Sequence, residues 1–432
     1  MIEAPRLRVR GRPAQSPGFD ARVLADRPTS IGGLEVVVHP SAGGELQWSV
    51  ANAGDHDLDL DAVALVWDGG AVGDDPRLFA NGYQSWTPAR TRRLGVDVDP
   101  SRDPRPLPLV RAAFHADPGV CGPGELRSEQ VAVIATGDRA RIGVGFVGGA
   151  SHAGTIRVRL VDDRLEIAAT AWFGGATIRS GERRALHPVV IEEHDDPSVL
   201  LERWADRTGR AERARVDAPF LSGWCSWYHY FEHVTEREIL ANLALADDWP
   251  FDVFQVDDGF QRAIGDWLHT NDRFPSGVDG VASAIRASGR TAGLWIAPFL
   301  AAPDSDVATA HPEWLARAPE GEGPAIGMYH DVWGGVMWQL DTTNPEVADH
   351  LAATARALVA AGYRYLKLDF TFSASMPGRF TDPTRTPAER VRAGYDAIRR
   401  GAGDDVFILG CGAPLGAVVG SVDAMRIGAD VA

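Results

Sequence analysis

The chain has 432 residues, long for a single core, and its 43 Lys and Arg against 59 Asp and Glu leave a formal charge of −16. So acidic a chain lacks the basic footprint that nucleic acid or an anionic membrane requires, and neither is expected as a partner. Its three cysteines, Cys121, Cys225 and Cys411, are too few for a disulfide framework.

The first residues, Met1-Ile2-Glu3-Ala4-Pro5, have neither the basic nor the apolar stretch of a secretory leader, and no apolar run approaches membrane-spanning length. A cytoplasmic protein is expected. From here to residue 195, short strands follow one another between Gly, Pro and Asp turns. Asp57-Leu58-Asp59-Leu60-Asp61, Thr155 to Leu160 and Arg164 to Ala168 alternate with period two. Asp68-Gly69-Gly70, Gly148-Gly149 and Asp162-Asp163 read as turns between them. Strands without convincing helices imply an antiparallel β-sandwich over residues 1–195. Asp196-Pro197 then reads as an N-cap and first helical position, opening an amphipathic linker over 196–220 with Val199, Leu200 and Trp204 on its apolar side.

Over 221–432 the period changes to strands that run into glycine or acidic residues, separated by helical stretches. The strands are Ser222 to Tyr230, Asp252 to Phe260, Thr291 to Phe299, Tyr363 to Phe370, Asp405 to Gly412 and Ala424 to Val431. Pro345 to Ala361 reads as a helix opened by Asn344-Pro345 and closed by Gly362. Repeated βα units imply a parallel sheet, and polar residues gathered at strand C-termini favour a (β/α)8 TIM-type barrel. No glycine-rich phosphate fingerprint follows a strand, which weakens a nucleotide-binding reading. The stretch 301–362 exceeds an ordinary βα connection and should wall or cover the catalytic face. Eight strands close such a barrel. Six are legible, so the expectation is an incomplete barrel whose unpaired edges leave it poorly stable.

The chemistry gathers where these strands end. Tyr365-Leu366-Lys367-Leu368-Asp369-Phe370 delivers an acid as the apolar run stops, and Lys367 and Asp369, two apart, share a face. The lysine sets a positive charge against a carboxylate, which suits a nucleophile and equally suits a structural ion pair. Asp257 and Asp258 are adjacent acids, each able to accept several hydrogen bonds and together to chelate neighbouring hydroxyls. Trp295 ends the third strand and Cys411 the fifth. Asp430, after Arg426 on the sixth, is the natural partner for Asp369, because cleavage of a glycosidic bond takes two carboxyl groups. The 13 tryptophans offer faces for sugar rings, although most are expected to fill cores.

In Asn81 to Trp86, Trp224 to Tyr230, Val256 to Gly259, Leu294 to Phe299, Leu366 to Asp369 and Arg426 to Asp430 the sequence resembles the α-galactosidases of glycoside hydrolase family 36, the melibiase-like clan. The resemblance implies an N-terminal β-sandwich, a (β/α)8 catalytic barrel and a C-terminal β-domain, the last absent from this chain. It places the nucleophile on Asp369 and the acid/base on Asp430. Asp257 and Asp258 would hold the C4 and C6 hydroxyls of a terminal α-galactosyl group, Lys367 the C3 and C4 hydroxyls and Arg426 the C2 hydroxyl. Cys411, Trp295, Trp227 and Tyr228 would line the pocket, with Trp86 reaching in from the N-terminal domain. The implied activity is exo-hydrolysis of α-D-galactosides by double displacement with retention, with no cofactor. Galactosyl transfer of the raffinose-synthase type, or sugar binding without turnover, would use the same residues, and a homo-oligomer is compatible with all three.

His229-Tyr230-Phe231-Glu232-His233 also fits the H-x-x-E-H pattern of inverted zinc peptidases, which needs both histidines on one helical face. Read as the end of an aromatic strand, the first histidine is extended and out of line with the second, so no metal is expected.

Overall fold

In a computed structural model the structure describes residues 5–11, 19–22, 28–41, 44–137 and 140–430. The chain divides into two compact units: Met1–Ala214 with Pro383–Glu389 and Pro414–Val419, and Arg215–Asp382 with Arg390–Ala413 and Gly420–Ala432. Met1 to Ala4, read as lacking the stretches of a secretory leader, and the strand end at Val431 lie outside the described residues.

Two antiparallel sheets of six and nine strands make up the first unit. Their inner faces share one core, in which Leu60, Leu126, Phe146, Ile156, Phe173 and Val189 are all fully or almost fully buried. Two strands exceed what alternation suggested. Leu58–Ala71 and Arg164–Ile178 pair along most of their length, and residues 60–67 are buried consecutively, so the polar/apolar alternation that reveals a half-exposed strand is missing there. Asp68-Gly69-Gly70, expected as a turn, is a bulge inside the first of these strands: Leu165 faces Gly70 and Glu166 faces Asp68, leaving Gly69 unmatched. Asp162-Asp163 is a turn as expected, with φ of 49° and 58°, the left-handed pair that a two-residue hairpin demands.

The expected linker is part of this unit. Asp196 caps helix Pro197–Ala211 by accepting from the Ser198 amide. The helix then lies against strand Arg141–Phe146, where Trp204 donates from Nε1 to the Phe146 carbonyl at 2.7 Å. Gly145 makes the approach possible, since a Cβ there would stand 2.6 Å from Trp204. The division between units falls after Ala214 rather than at a free-standing linker over 196–220.

In the second unit six parallel strands pair in chain order: Gly223–Cys225, Val253–Val256, Thr291–Ile296, Tyr365–Leu368, Phe407–Gly410 and Ala424–Met425. Among the described residues the sheet is open, with its first and last strands each paired on one side. Phe254, Val256, Leu294, Leu366, Leu368 and Ile408 are buried almost completely, the signature of a parallel sheet covered on both faces. Helix Pro345–Ala361 matches its reading, with Asn344 accepting from the Glu346 amide and Gly362 leaving the helix at φ 117°. The remainder of 301–362 holds a small antiparallel sheet of Leu300–Ala301, Gly335–Gln339 and Ile326–His330.

The strands are shorter than expected, and one misreading matters. Trp227–Tyr230 is a turn of helix, although its run of aromatic residues suits a strand. His229 is therefore helical rather than extended. Phe231, at φ 49° and ψ −144°, ends that turn before a separate 3₁₀ turn Phe231–His233, so the two histidines do not share one helical face.

Candidate active site

The pairing register decides what meets at the sheet's C-terminal edge. Cys225 lies beside Gln255, Trp295 beside Lys367, and Leu368 beside Gly410. Each strand stops within a residue or two of these positions, so Asp257, Trp295, Lys367, Asp369 and Cys411 emerge from neighbouring strands at one level.

Lys367 is the hub. Its Nζ stands 2.9 Å from Asp257 Oδ2 and 3.6 Å from Asp369 Oδ2, with all three side chains buried. Burial alone would drive the proton off this lysine, yet Asp257 and then Asp369 outweigh it and hold the ammonium well above its ordinary range. Asp369 is fixed at both oxygens: Trp295 Nε1 donates to Oδ2 at 2.9 Å and the Phe370 amide to Oδ1 at 2.8 Å. The second bond depends on Phe370 taking a left-handed backbone, φ 53° and ψ 28°.

Asp257 also accepts from Gln255 Nε2, and at 3.4 Å from Cys225 Sγ. Its neighbour Asp258 accepts from Trp333 Nε1 at 2.8 Å and Gln261 Nε2 at 2.6 Å. Both donors are neutral. Burial pushes the Asp258 carboxyl up to about 6, against the pull of these two bonds. The tight Asp-Asp-Gly bend is set by packing: Gly259 has φ 118°, and a Cβ there would fall 2.6 Å from the Glu232 carbonyl oxygen.

Asp430 lies beyond the sixth strand, half exposed. Trp227 Nε1 donates to its Oδ2 at 2.8 Å and Arg426 Nη1 to its Oδ1 at 2.5 Å. Cys411 links the two acids, with its Sγ 3.8 Å from Arg426 Nη1 and hydrogen-bonded to Asp369. Burial first and Asp369 second push its thiol up, so it stays protonated and serves as a weak donor and space filler. Tyr228, on the same helical turn as Trp227, is 46% exposed. Burial of its remaining surface raises its hydroxyl, and the charges of Arg426, Lys367 and Asp430 all act on it.

Ten of the eleven side chains singled out in the sequence thus lie in the second unit, along one edge of one sheet. The eleventh, Trp86, belongs to the first unit, in the loop after strand Arg77–Ala80, where its amide donates to Gln84 Oε1 at 2.8 Å.

The sequence reading missed several members of the site. Gln255 stands two before Asp257 as Lys367 stands two before Asp369, and that shared spacing was its available signal. Trp333 had none. It comes from a 3₁₀ turn, Asp331–Trp333, inside the 301–362 insertion, and with His330 and Phe370 it builds an aromatic wall with ring centres 4.4 and 5.0 Å from its own. The insertion therefore contributes directly to the site, as its length suggested. The described residues contain no group of three or more His, Cys, Asp or Glu arranged to hold a metal.

Residues 213–389 match the Melibiase family model. Two curated proteins similar to this chain are enzymes of known name. The α-galactosidase AgaA of Geobacillus stearothermophilus is 26% identical over 172 residues, 37% of this chain and 21% of that protein. An α-galactosidase of Escherichia coli is 30% identical over 105 residues, 23% of this chain and 14% of that protein. The matches thus span about a fifth or less of those relatives' length. Among solved structures, TtGalA, the α-galactosidase from Thermus thermophilus in complex with p-nitrophenyl α-D-galactopyranoside, has a TM-score of 0.68 at 28% identity, covering 94% of this chain and 74% of that one. The G. stearothermophilus AgaA structure, at 16% identity, shares the fold with a TM-score of 0.63, covering 98% of this chain and 64% of its own. No helix among the described residues is long and apolar enough to cross a membrane.

Proposed function

We propose that the chain is the core of a retaining exo-α-galactosidase, with Asp369 as nucleophile and Asp430 as acid/base. The observation that carries this reading is the buried lysine shared by two carboxylates at the ends of neighbouring strands. A structural ion pair needs one acid per base, whereas Lys367 faces Asp257 and Asp369 with Asp258 alongside, held only by neutral donors. Such a surplus of acceptors suits a ligand that brings several hydroxyl donors.

With Trp295 and the Phe370 amide fixing its orientation, the Asp369 carboxylate attacks the anomeric carbon as the bond to the leaving oxygen breaks, and Asp430 gives that oxygen its proton. A covalent galactosyl ester results. Asp430 then takes a proton from water, whose oxygen displaces Asp369 and restores the α-configuration. Asp257, Asp258 and Lys367 read the ring hydroxyls, while Arg426 orients Asp430 and reaches the C2 hydroxyl. The names of the relatives support galactose as the ring.

The test is hydrolysis of p-nitrophenyl α-D-galactopyranoside by the full chain, with the first-formed anomer read by proton NMR. Release of α-galactose is expected. Release of β-galactose would remove the double displacement, and the absence of turnover with sugar binding intact would favour a binding protein.

A further inference from the structure

The first unit contains a cavity of about 390 Å³ under helix Pro108–Phe114, beside strands Arg77–Ala80 and Arg90–Arg93. We propose that it is a second ligand site, and that its ligand is a neutral polyhydroxylated ring, a saccharide unit. The volume falls within the range of about 300–1,000 Å³ typical of small-molecule sites and is far above a packing void.

Its polar groups carry the argument. Glu129 is 2% exposed and lines the cavity. Its Oε2 accepts from Thr155 Oγ1 at 2.9 Å, but no donor reaches Oε1, and His115 Nδ1 stands 3.7 Å away, beyond hydrogen-bond reach. Arg111, also on the lining, donates from Nη1 to the Pro106 carbonyl while its buried Nε meets no acceptor. Neighbouring Asp99 shows how completely a purely structural acid is satisfied here: Ser101 donates twice to its Oδ1 and the Arg127 amide donates to Oδ2. The cavity thus offers an open acceptor and an open donor, and buried polar groups are rarely left so without a partner.

Hydroxyls answer both needs, since each donates and accepts. A cation would meet Arg90, Arg92 and Arg111, and a carboxylate or phosphate would meet Glu129. Between these and the other polar lining residues Asn81, Thr87, His115 and Arg127, the side chains of Pro88, Pro106, Val110 and Phe114 offer an apolar surface to the C–H face of a sugar ring. Val110 is 42% exposed, so a larger side chain there can fill the mouth without disturbing the core.

Saturation-transfer NMR on the full chain tests this, with methyl α-D-galactopyranoside, methyl α-D-glucopyranoside and D-glucuronate as probes. The expected result is transfer to methyl α-D-glucopyranoside or, in Lys367→Met, which removes galactoside binding at the candidate active site in the second unit, to methyl α-D-galactopyranoside, with a Kd raised at least tenfold by both Val110→Trp and Glu129→Gln. Val110→Trp should keep the wild-type circular dichroism and nitrophenyl galactoside rate. Binding by none of the probes, binding by glucuronate alone, or the lack of any neutral-glycoside signal that survives Lys367→Met and weakens with Val110→Trp would each overturn the proposal.

Discussion

Two buried charge clusters, one in each unit, differ in a way that separates scaffold from chemistry. In the first unit Asp117 accepts from Arg10 at 2.9 Å, from Arg157 at 2.7 Å and from the Gly119 amide at 2.9 Å, while Arg157 also pairs with Glu125 at 2.9 Å. Burial would raise the Asp117 carboxyl, but Arg10 and Arg157 outweigh it and hold it below its usual range. Two arginines meet two acids, so charge is matched in number. In the second unit Asp257 and Asp369 share the single ammonium of Lys367, and Asp258, whose amide donates to Asp257, is held by neutral donors alone. Burial of charge is common to both clusters and so does not mark function. Imbalance does, because a surplus of acceptors becomes satisfied only when a ligand arrives.

The comparison is broken most directly at Asp369. Asp369→Asn should lower α-galactoside turnover on the order of 10⁴-fold or more while leaving the unfolding midpoint close to wild type. Azide should restore part of the rate and yield β-galactosyl azide. Near-normal activity in protein free of deamidation would return Asp369 to the scaffold class.

Asp430→Ala should cost on the order of 10² to 10⁴ in rate on substrates with poor leaving groups such as melibiose, and much less on activated aryl galactosides. Equal losses on the two substrate types would take Asp430 out of the acid role.

Arg157→Met probes the other side. It removes one of the two arginines on Asp117 and the ion pair of Glu125, and breaking a buried pair costs up to about 3–5 kcal/mol. Urea unfolding should show a loss of that order, with the kcat of the remaining folded protein unchanged. A variant that kept its stability and lost turnover would erase the distinction between the clusters.

Asp258 gives the smallest and most pH-dependent effect. Its folded carboxyl sits at about 6 against an ordinary 3.8, so the folded chain holds a proton that the unfolded chain releases as pH rises from 4 to 6. Stability therefore falls across that interval and levels off above it, by roughly 3 kcal/mol for about two units. Asp258→Asn should flatten this slope and gain on wild type between pH 4 and 6. Parallel stability profiles, measured by urea midpoints at pH 4.5 and 7.5, would contradict the assignment of burial as the cause.

Much of this site was legible because the relevant physics is local. A parallel strand buried on both faces is an apolar run, and its polar C-terminal residue announces the site, which is why Asp257, Trp295, Lys367, Asp369 and Cys411 could be read in order. The helix Pro345–Ala361 was equally plain, since Asn-Pro and Gly mark its two ends. Two kinds of feature escaped. The aromatic propensity of Trp227–Tyr230 favours a strand, whereas hydrogen bonds from the Tyr230 and His229 amides to the Ser226 carbonyl close a helical turn. Trp333 escaped because its role is set by tertiary placement: a turn within a long insertion brings it onto Asp258, 75 residues away in sequence. The helix at 197–211 is legible as a helix, but its docking is not, because that rests on two side-chain-free positions in strand Arg141–Phe146, Gly143 and Gly145.

The left-handed bend at Phe370 ties the width of the candidate pocket to the orientation of the Asp369 carboxylate. A side chain of this size in that conformation stores strain, which a glycine would relieve. Its ring, however, stands 5.0 Å from Trp333, 5.9 Å from His330 and 6.5 Å from Trp295, centre to centre, while its amide holds Asp369. Replacing Phe370 by a smaller side chain other than glycine would thus widen the pocket and remove the ring packing that holds the bend, and with it the amide's grip on the Asp369 carboxylate. A laboratory lineage evolving toward larger glycosides should leave this position alone and vary Trp333 or His330 instead, where the wall recedes and the aim of Asp369 is preserved.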